Sequence, residues 1–198
     1  MKKHWILLAL FVSVIFTTIQ IFGNDNVQNT YIEDDESIVA SSHVLKEPKN
    51  TLTVTLINTE GEKIGEAQLS KQKKGVSIEL KASKLPPGVH GFHIHENGVC
   101  DVPTFETAGA HFNPTNAKHG FDNPEGPHAG DLPNIEVTED GTIAVAILAE
   151  MVTLKKNKAN SLLKNGGTSL IIHSGPDDYK TDPSGNSGER IACGVISK

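Results

Sequence analysis

The clearest signal along the chain is period-two alternation. The runs TLTVTLINT and KIGEAQLS flank the Glu60-Gly61 pair, and GVSIELKAS follows a lysine-rich turn, which predicts three antiparallel strands joined by tight turns. HGFHIHE follows Pro86-Pro87-Gly88 as a fourth strand, and IEVTED, TIAVAILAE (beyond Asp140-Gly141), SLIIHS and RIACGVIS supply four more. Eight short strands with turn residues between them predict an all-β sandwich or barrel. No 3.6-period segment of comparable length competes. VTLKKNKANSLLKNGG is the one ambiguous piece, read as a loop with a helical turn.

Before residue 50 the pattern changes. Lys2 and Lys3 precede an uncharged apolar run from Trp5 to Phe22. This resembles a secretory signal, yet the run is also long enough to span a bilayer, and an A-x-A cleavage pattern is missing. Residues 1–23 therefore read as a signal peptide or an N-terminal membrane anchor, with both choices open. Either one exports the domain across the cytoplasmic membrane, to a secreted, cell-surface or periplasmic location. No cysteine lies in or just after the run, so a lipidated cysteine there is excluded. Residues 24–49, with the acidic cluster Glu33 to Glu36, read as a flexible tether, and residues 50–198 as the folded domain. The 198-residue chain has a formal charge of −6, which gives no support for nucleic-acid binding or for a polybasic membrane surface. Nothing in it sets an oligomeric state.

Candidate chemistry concentrates in the histidines. In GFHIHENGVC, His93 and His95 project from one face of a strand while Phe92 and Ile94 project from the other, which makes a chelating pair. The stretch from Val102 to Pro133 has no strand or helix pattern, and structureless loops of that length are usually functional or disordered. It carries His111, His119, His128 and Asp131, a complete donor set for tetrahedral zinc. His173, ending the apolar run SLIIH, joins His93 and His95 in a nitrogen-rich group of the kind Cu(II) prefers. A metal would order what the backbone pattern does not. Cys100 and Cys193, two cysteines in an exported domain, read as one disulfide.

GFHIHENGVC, GAHFNP, KHG, PHAGDLPN, LIIHSGPDD and GNSGERIACGVI, in that order, resemble the successive signatures of the copper/zinc superoxide dismutases. The resemblance implies an eight-stranded Greek-key β-barrel or sandwich, immunoglobulin-like, with long metal-binding and electrostatic loops. It assigns one copper per chain to His93, His95, His111 and His173, and one zinc to His111, His119, His128 and Asp131, so that His111 bridges the two metals. Asp177 matches the aspartate that accepts from a copper-ligand and a zinc-ligand histidine, here His93 and His119. Arg190 matches the active-site arginine that holds the superoxide anion, and with His111 it is the catalytic assignment. The disulfide implied is Cys100 to Cys193, and His90 matches a structural hydrogen-bonding position. The segment before Arg190 departs from the family pattern: Pro183 and Ser184 stand where a lysine is expected, leaving Lys180 alone. The implied function is conversion of superoxide to dioxygen and hydrogen peroxide by copper redox cycling around a structural zinc. Two rivals are a non-enzymatic extracytoplasmic copper/zinc-binding protein on the same fold, and a zinc hydrolase. The latter fails because His95-Glu96 is followed by Val99 where H-E-x-x-H needs histidine.

Overall fold

A computed structural model describes residues 51–198, and the N-terminal apolar run and acidic segment lie outside the described residues. The described chain contains nine strands: β1 (Thr51–Asn58), β2 (Lys63–Lys71), β3 (Val76–Ala82), β4 (Gly88–His90), β5 (Phe92–His95), β6 (Ile135–Val137), β7 (Ile143–Ala149), β8 (Thr168–His173) and β9 (Arg190–Ile196). Its only helical element among these residues is a single 3₁₀ turn, Glu106–Ala108. The ambiguous lysine-rich stretch forms turns, tied by a bridge between Thr153 and Ser161.

Seven strands form one antiparallel sheet in the order β5-β8-β9-β1-β2-β3-β7, and β4 pairs with β6. The extra strand arises at Gly91, where the expected strand HGFHIHE divides. Gly91 N–H donates to Gly175 O and Gly91 O accepts from His173 N, so β4 joins β6 while β5 joins β8. A side chain at Gly91 would meet Ser187 Cβ at 2.8 Å, so this crossing needs glycine.

Alternation sets the core. Val54, Leu56, Leu69, Ile78, Leu80, Phe92, Ile94, Leu170, Ile172 and Ile196 all point inward and are buried. β8 is buried on both faces, and its outward Ile171 packs with Phe105, Ala108 and Cys193 beneath the long loop after β5. Phe105 takes a left-handed backbone conformation, φ 56°, which costs roughly 1–2 kcal/mol for a residue with a Cβ. Full burial of its ring contributes about 1.5–3 kcal/mol and offsets that cost. The long loop is thereby seated on the sheet, where its histidines are needed.

Candidate metal centre

β5 is an edge strand, and an edge leaves backbone donors and acceptors unpaired. The loop supplies the partners: Ile94 N donates to Gly130 O and Phe112 N to Ile94 O, both at 2.8 Å. The resulting bridges set His111 opposite His95 and Asp131 opposite His93. At the other side of β5, a register shift after Ile172 turns His173 inward and pairs it with Arg190 of β9. Four histidines from three chain segments thus converge.

His93, His95, His111 and His173 each offer a ligand atom within 4.8 Å of the others, and so do His111, His119, His128 and Asp131. Every one of these residues is buried. Their hydrogen bonds show which atom is spoken for. His95 Nδ1 donates to Gly109 O (2.9 Å), His173 Nδ1 to Gly188 O (3.1 Å) and His93 Nε2 to Asp177 Oδ2 (2.8 Å). The opposite nitrogens, His93 Nδ1, His95 Nε2 and His173 Nε2, are buried with no partner, as is His111 Nε2. Leaving a buried polar atom unpaired costs about 1–3 kcal/mol. Four such nitrogens facing one another fit a cation that accepts all four lone pairs, and an all-imidazole set suits copper.

The second group has oxygen at its centre. Asp131 Oδ1 lies 2.9 Å from His111 Nδ1 and 3.2 Å from His128 Nδ1 and His119 Nδ1. The edge of a tetrahedron with zinc–ligand bonds of about 2.0 Å is roughly 3.3 Å, so these spacings fit a four-coordinate zinc sphere. Asp131 Oδ2 is turned away and accepts from Gly120 N and His128 N, each at 2.9 Å. His111 belongs to both groups, with Nε2 in one and Nδ1 in the other.

Asp177 ties the groups together. Its Oδ1 accepts from His119 Nε2 (2.9 Å) while Oδ2 accepts from His93 Nε2. A Cβ at Gly185 would come within 1.8 Å of Asp177 Oδ1, so only glycine admits this approach. The adjacent Asp178 is exposed and caps its own loop through Lys180 N and Thr181 N. His90 is buried between the carbonyls of His173 (2.7 Å) and Pro86 (2.9 Å), outside both ligand groups.

Burial pushes His93 down, partly opposed by Asp177, and pushes His95 well below the usual imidazole range. It lowers His111 to about 4 and His173 to about 3. These rings are neutral at neutral pH, the form that ligates a metal. His119 goes the other way: burial lowers it, but hydrogen bonds to Asp131 and Asp177 prevail and raise it to about 9. Burial would raise Asp131 and Asp177, yet their histidine partners hold both below the usual carboxylate range.

Arg190 is fixed beside the four-nitrogen group. Nη1 donates to Phe105 O (2.6 Å) and Nη2 to Gly109 O (2.7 Å), the same carbonyl that orients His95. The Cys100–Cys193 disulfide, with Cα atoms 5.8 Å apart, pins the loop that carries both carbonyls to β9.

A family model described as copper/zinc superoxide dismutase (SODC) matches residues 63–196. The chain belongs to the copper/zinc superoxide dismutase family. Copper/zinc superoxide dismutase 1 of Aquifex aeolicus is 58% identical over 142 residues, covering 71% of this chain and 84% of the relative. The crystal structure of a SOD-like protein from Bacillus subtilis matches with a TM-score of 0.72 and 45% identity, covering 74% of this chain and 99% of that one. Cu/Zn superoxide dismutase from Brucella abortus matches with a TM-score of 0.61 and 31% identity, covering 74% and 99%.

Three supporting residues of this dismutase-family site escape a sequence reading. Asn134 clamps the Asp177 backbone, accepting from its N–H and donating to its carbonyl, both at 2.9 Å. Tyr179 Oη accepts from Asn134 N (2.7 Å). Asp182 accepts from His119 N (2.8 Å) and Lys118 Nζ. Asn134 does end the quoted PHAGDLPN motif, but nothing in the composition or spacing marks Asp182.

Proposed function

We propose that this chain is an exported copper/zinc superoxide dismutase, with copper held by His93, His95, His111 and His173 and zinc by His111, His119, His128 and Asp131. The observation that carries the reading is the set of four buried, partnerless imidazole nitrogens beside a fixed guanidinium. Copper bound there supplies one-electron chemistry, oxidising one superoxide to dioxygen and reducing a second, while zinc, a filled-shell ion, supplies structure and charge.

The chain's own residues do the rest. Arg190 holds the anion by charge-assisted hydrogen bonds, oriented because two backbone carbonyls fix its fork. His111 Nε2, buried and without a protein partner, is placed to hold a proton and would give it to the departing peroxide. Its Nδ1 stays directed at the zinc group, so the ring returns to the same place. A second proton comes from solvent, and two superoxides with two protons yield dioxygen and hydrogen peroxide. Asp177 fixes the His93 and His119 rings together, so neither group can rotate independently of the other.

Residues 1–23 direct export as a cleaved signal or remain as an anchor, residues 24–49 form a tether, and residues 50–198 form the dismutase domain. The disulfide supports this placement, because such bonds persist in oxidising compartments. The test is metal analysis of the purified protein paired with superoxide consumption: one copper and one zinc per chain, with activity that follows copper. Full metal content with no consumption of superoxide would instead make the protein a metal store.

A further inference from the structure

Of the thirteen lysines in residues 51–198, four are ion-paired, six line one or both of two adjoining depressions, and Lys73, Lys81 and Lys180 make no ion pair among the described residues and line neither depression. Lys63, Lys74, Lys84 and Lys118 are ion-paired, with Glu66, Glu150, Glu62 and Asp182. Lys155, Lys156, Lys158 and Lys164 come from residues 151–176, a stretch without a single Asp or Glu, and Lys71 joins them from the end of β2. Among the described residues, none of these five makes an ion pair. Lys156, Lys158 and Lys164 line an open depression of about 550 Å³, and Lys71 and Lys155 line an adjoining one of about 440 Å³. The two share Leu163 and Lys198, and no carboxylate side chain lines either.

Their place in the fold matters. β8 begins at Thr168, beside the first depression, and ends at His173; β9 begins at Arg190 and ends at Ile196, next to Ser197 in the depression wall. The lysines therefore lie at the far end of the two strands that carry His173 and Arg190, about 17 Å away along β8. The loops around the metal centre, residues 96–134 and 174–189, are instead rich in Asp and Glu, with Lys118 and Lys180 their only lysines. A domain with one basic end and one acidic end meets an anionic surface basic end first.

We infer that the lysine-rich end is a docking surface for anionic phospholipid headgroups, which turns the metal centre away from the membrane. Spread ammonium groups over two open depressions, with no arginine fork and no buried donor among them, suit a plane of charge better than a single chelated ligand. The net charge of −6 opposes any anionic partner of the whole molecule, so the attraction rests on the local lysine cluster alone. Thr51, where the N-terminal part of the chain enters the described domain, lines the second depression. The biological role rests on the export reading of residues 1–23, but the binding measurement does not.

The experiment compares the full chain with a Lys155→Gln, Lys156→Gln, Lys158→Gln, Lys164→Gln variant on two kinds of vesicle, neutral phosphatidylcholine and a mixture with phosphatidylglycerol. The N-terminal run is common to both proteins and cancels in the ratio of affinities. Each lysine at an anionic surface strengthens binding by roughly fivefold, so the wild-type preference for the charged vesicles should exceed that of the variant by at least about tenfold. Raised salt should abolish the difference. An equal preference in both proteins overturns the inference. So does a difference between wild type and variant that appears with soluble polyphosphate but not with vesicles. Superoxide consumption measured on the same samples tests the dismutase reading separately and should be the same in both proteins.

Discussion

At the scale of single residues, Arg190 is the group whose removal is most informative. It is held by the carbonyls of Phe105 and Gly109 and donates to no metal-binding atom, so Arg190→Ala should leave the visible copper spectrum nearly unchanged. The second-order rate with superoxide should fall by about tenfold or more, equivalent to at least roughly 1.4 kcal/mol of lost transition-state stabilisation. Arg190→Lys should recover part of that loss, since the charge remains but the planar fork does not. Stopped-flow rates for the three proteins decide it, and equal rates for wild type and Arg190→Ala at low salt would transfer the attraction to another group, with Lys180 next. Gly185 gives a second residue-scale prediction. Its φ is +64° and a Cβ would sit 1.8 Å from Asp177 Oδ1, so Gly185→Ala must displace the carboxylate that orients His93 and His119. Zinc affinity should drop by about ten- to a hundredfold, as is usual when such an orienting carboxylate is lost, which competition with a chelator would measure. Unchanged affinity would mean the loop yields more readily than its hydrogen bonds imply.

At the scale of elements, the long loop after β5 depends on three attachments: bridges to the β5 edge, the buried Phe105 ring and the disulfide to β9. The disulfide closes a sequence separation of 93 residues, for which the chain-entropy model gives about 4–5 kcal/mol. Replacing Cys100 and Cys193 together by serine should lower the melting temperature and release the carbonyls that hold Arg190. Superoxide consumption should then fall more than copper content does, and parallel losses would show that the disulfide supports the metal rather than the arginine. The zinc group makes a similar claim on the same loop: His119→Ala or Asp131→Ala should lower thermal stability while copper stays partly bound, and unchanged melting of the metal-loaded variants would refute the coupling. Much of this layout is legible in the sequence, because alternation marks most of the strands and a patternless stretch dense in histidine marks the loop. The division at Gly91 is not, since HGFHIHE keeps its apolar pattern through a crossing that only the contact with Ser187 reveals. Asn134 and Asp182 are hidden for another reason: both act by clamping backbone from a distant loop, and composition carries no trace of a long-range hydrogen bond.

At the scale of the whole molecule, the centre is a buried collection of imidazoles whose titration couples to folding. In the metal-free protein, His93, His95, His111 and His173 have folded-state values below the ordinary one near 6.5, with His111 at about 4 and His173 at about 3. For such a group the stability is present above the unfolded value and is lost as pH falls, because the unfolded chain takes up the proton first. His119, raised to about 9, has the opposite sign: its contribution is full below 6.5 and disappears as pH rises through about 9. Between pH 7 and 5, four groups destabilise the fold on acidification and one stabilises it. Asp131 and Asp177, held low, add nothing until the pH approaches the ordinary carboxylate range. The net effect is a loss of stability on acidification, and the melting temperature of the metal-free protein should be lower at pH 5 than at pH 7 by at least about 5 °C. Bound metals remove this sensitivity over the same interval, because a ligand nitrogen cannot take up a proton until the ion leaves. The loaded protein should therefore melt almost equally at both pH values, then lose stability abruptly at the lower pH where metal is released. Calorimetry of the two forms across this range checks the claim, and a metal-free protein that melts at the same temperature at pH 5 and pH 7 would mean that the imidazoles at its centre are hydrated rather than sealed.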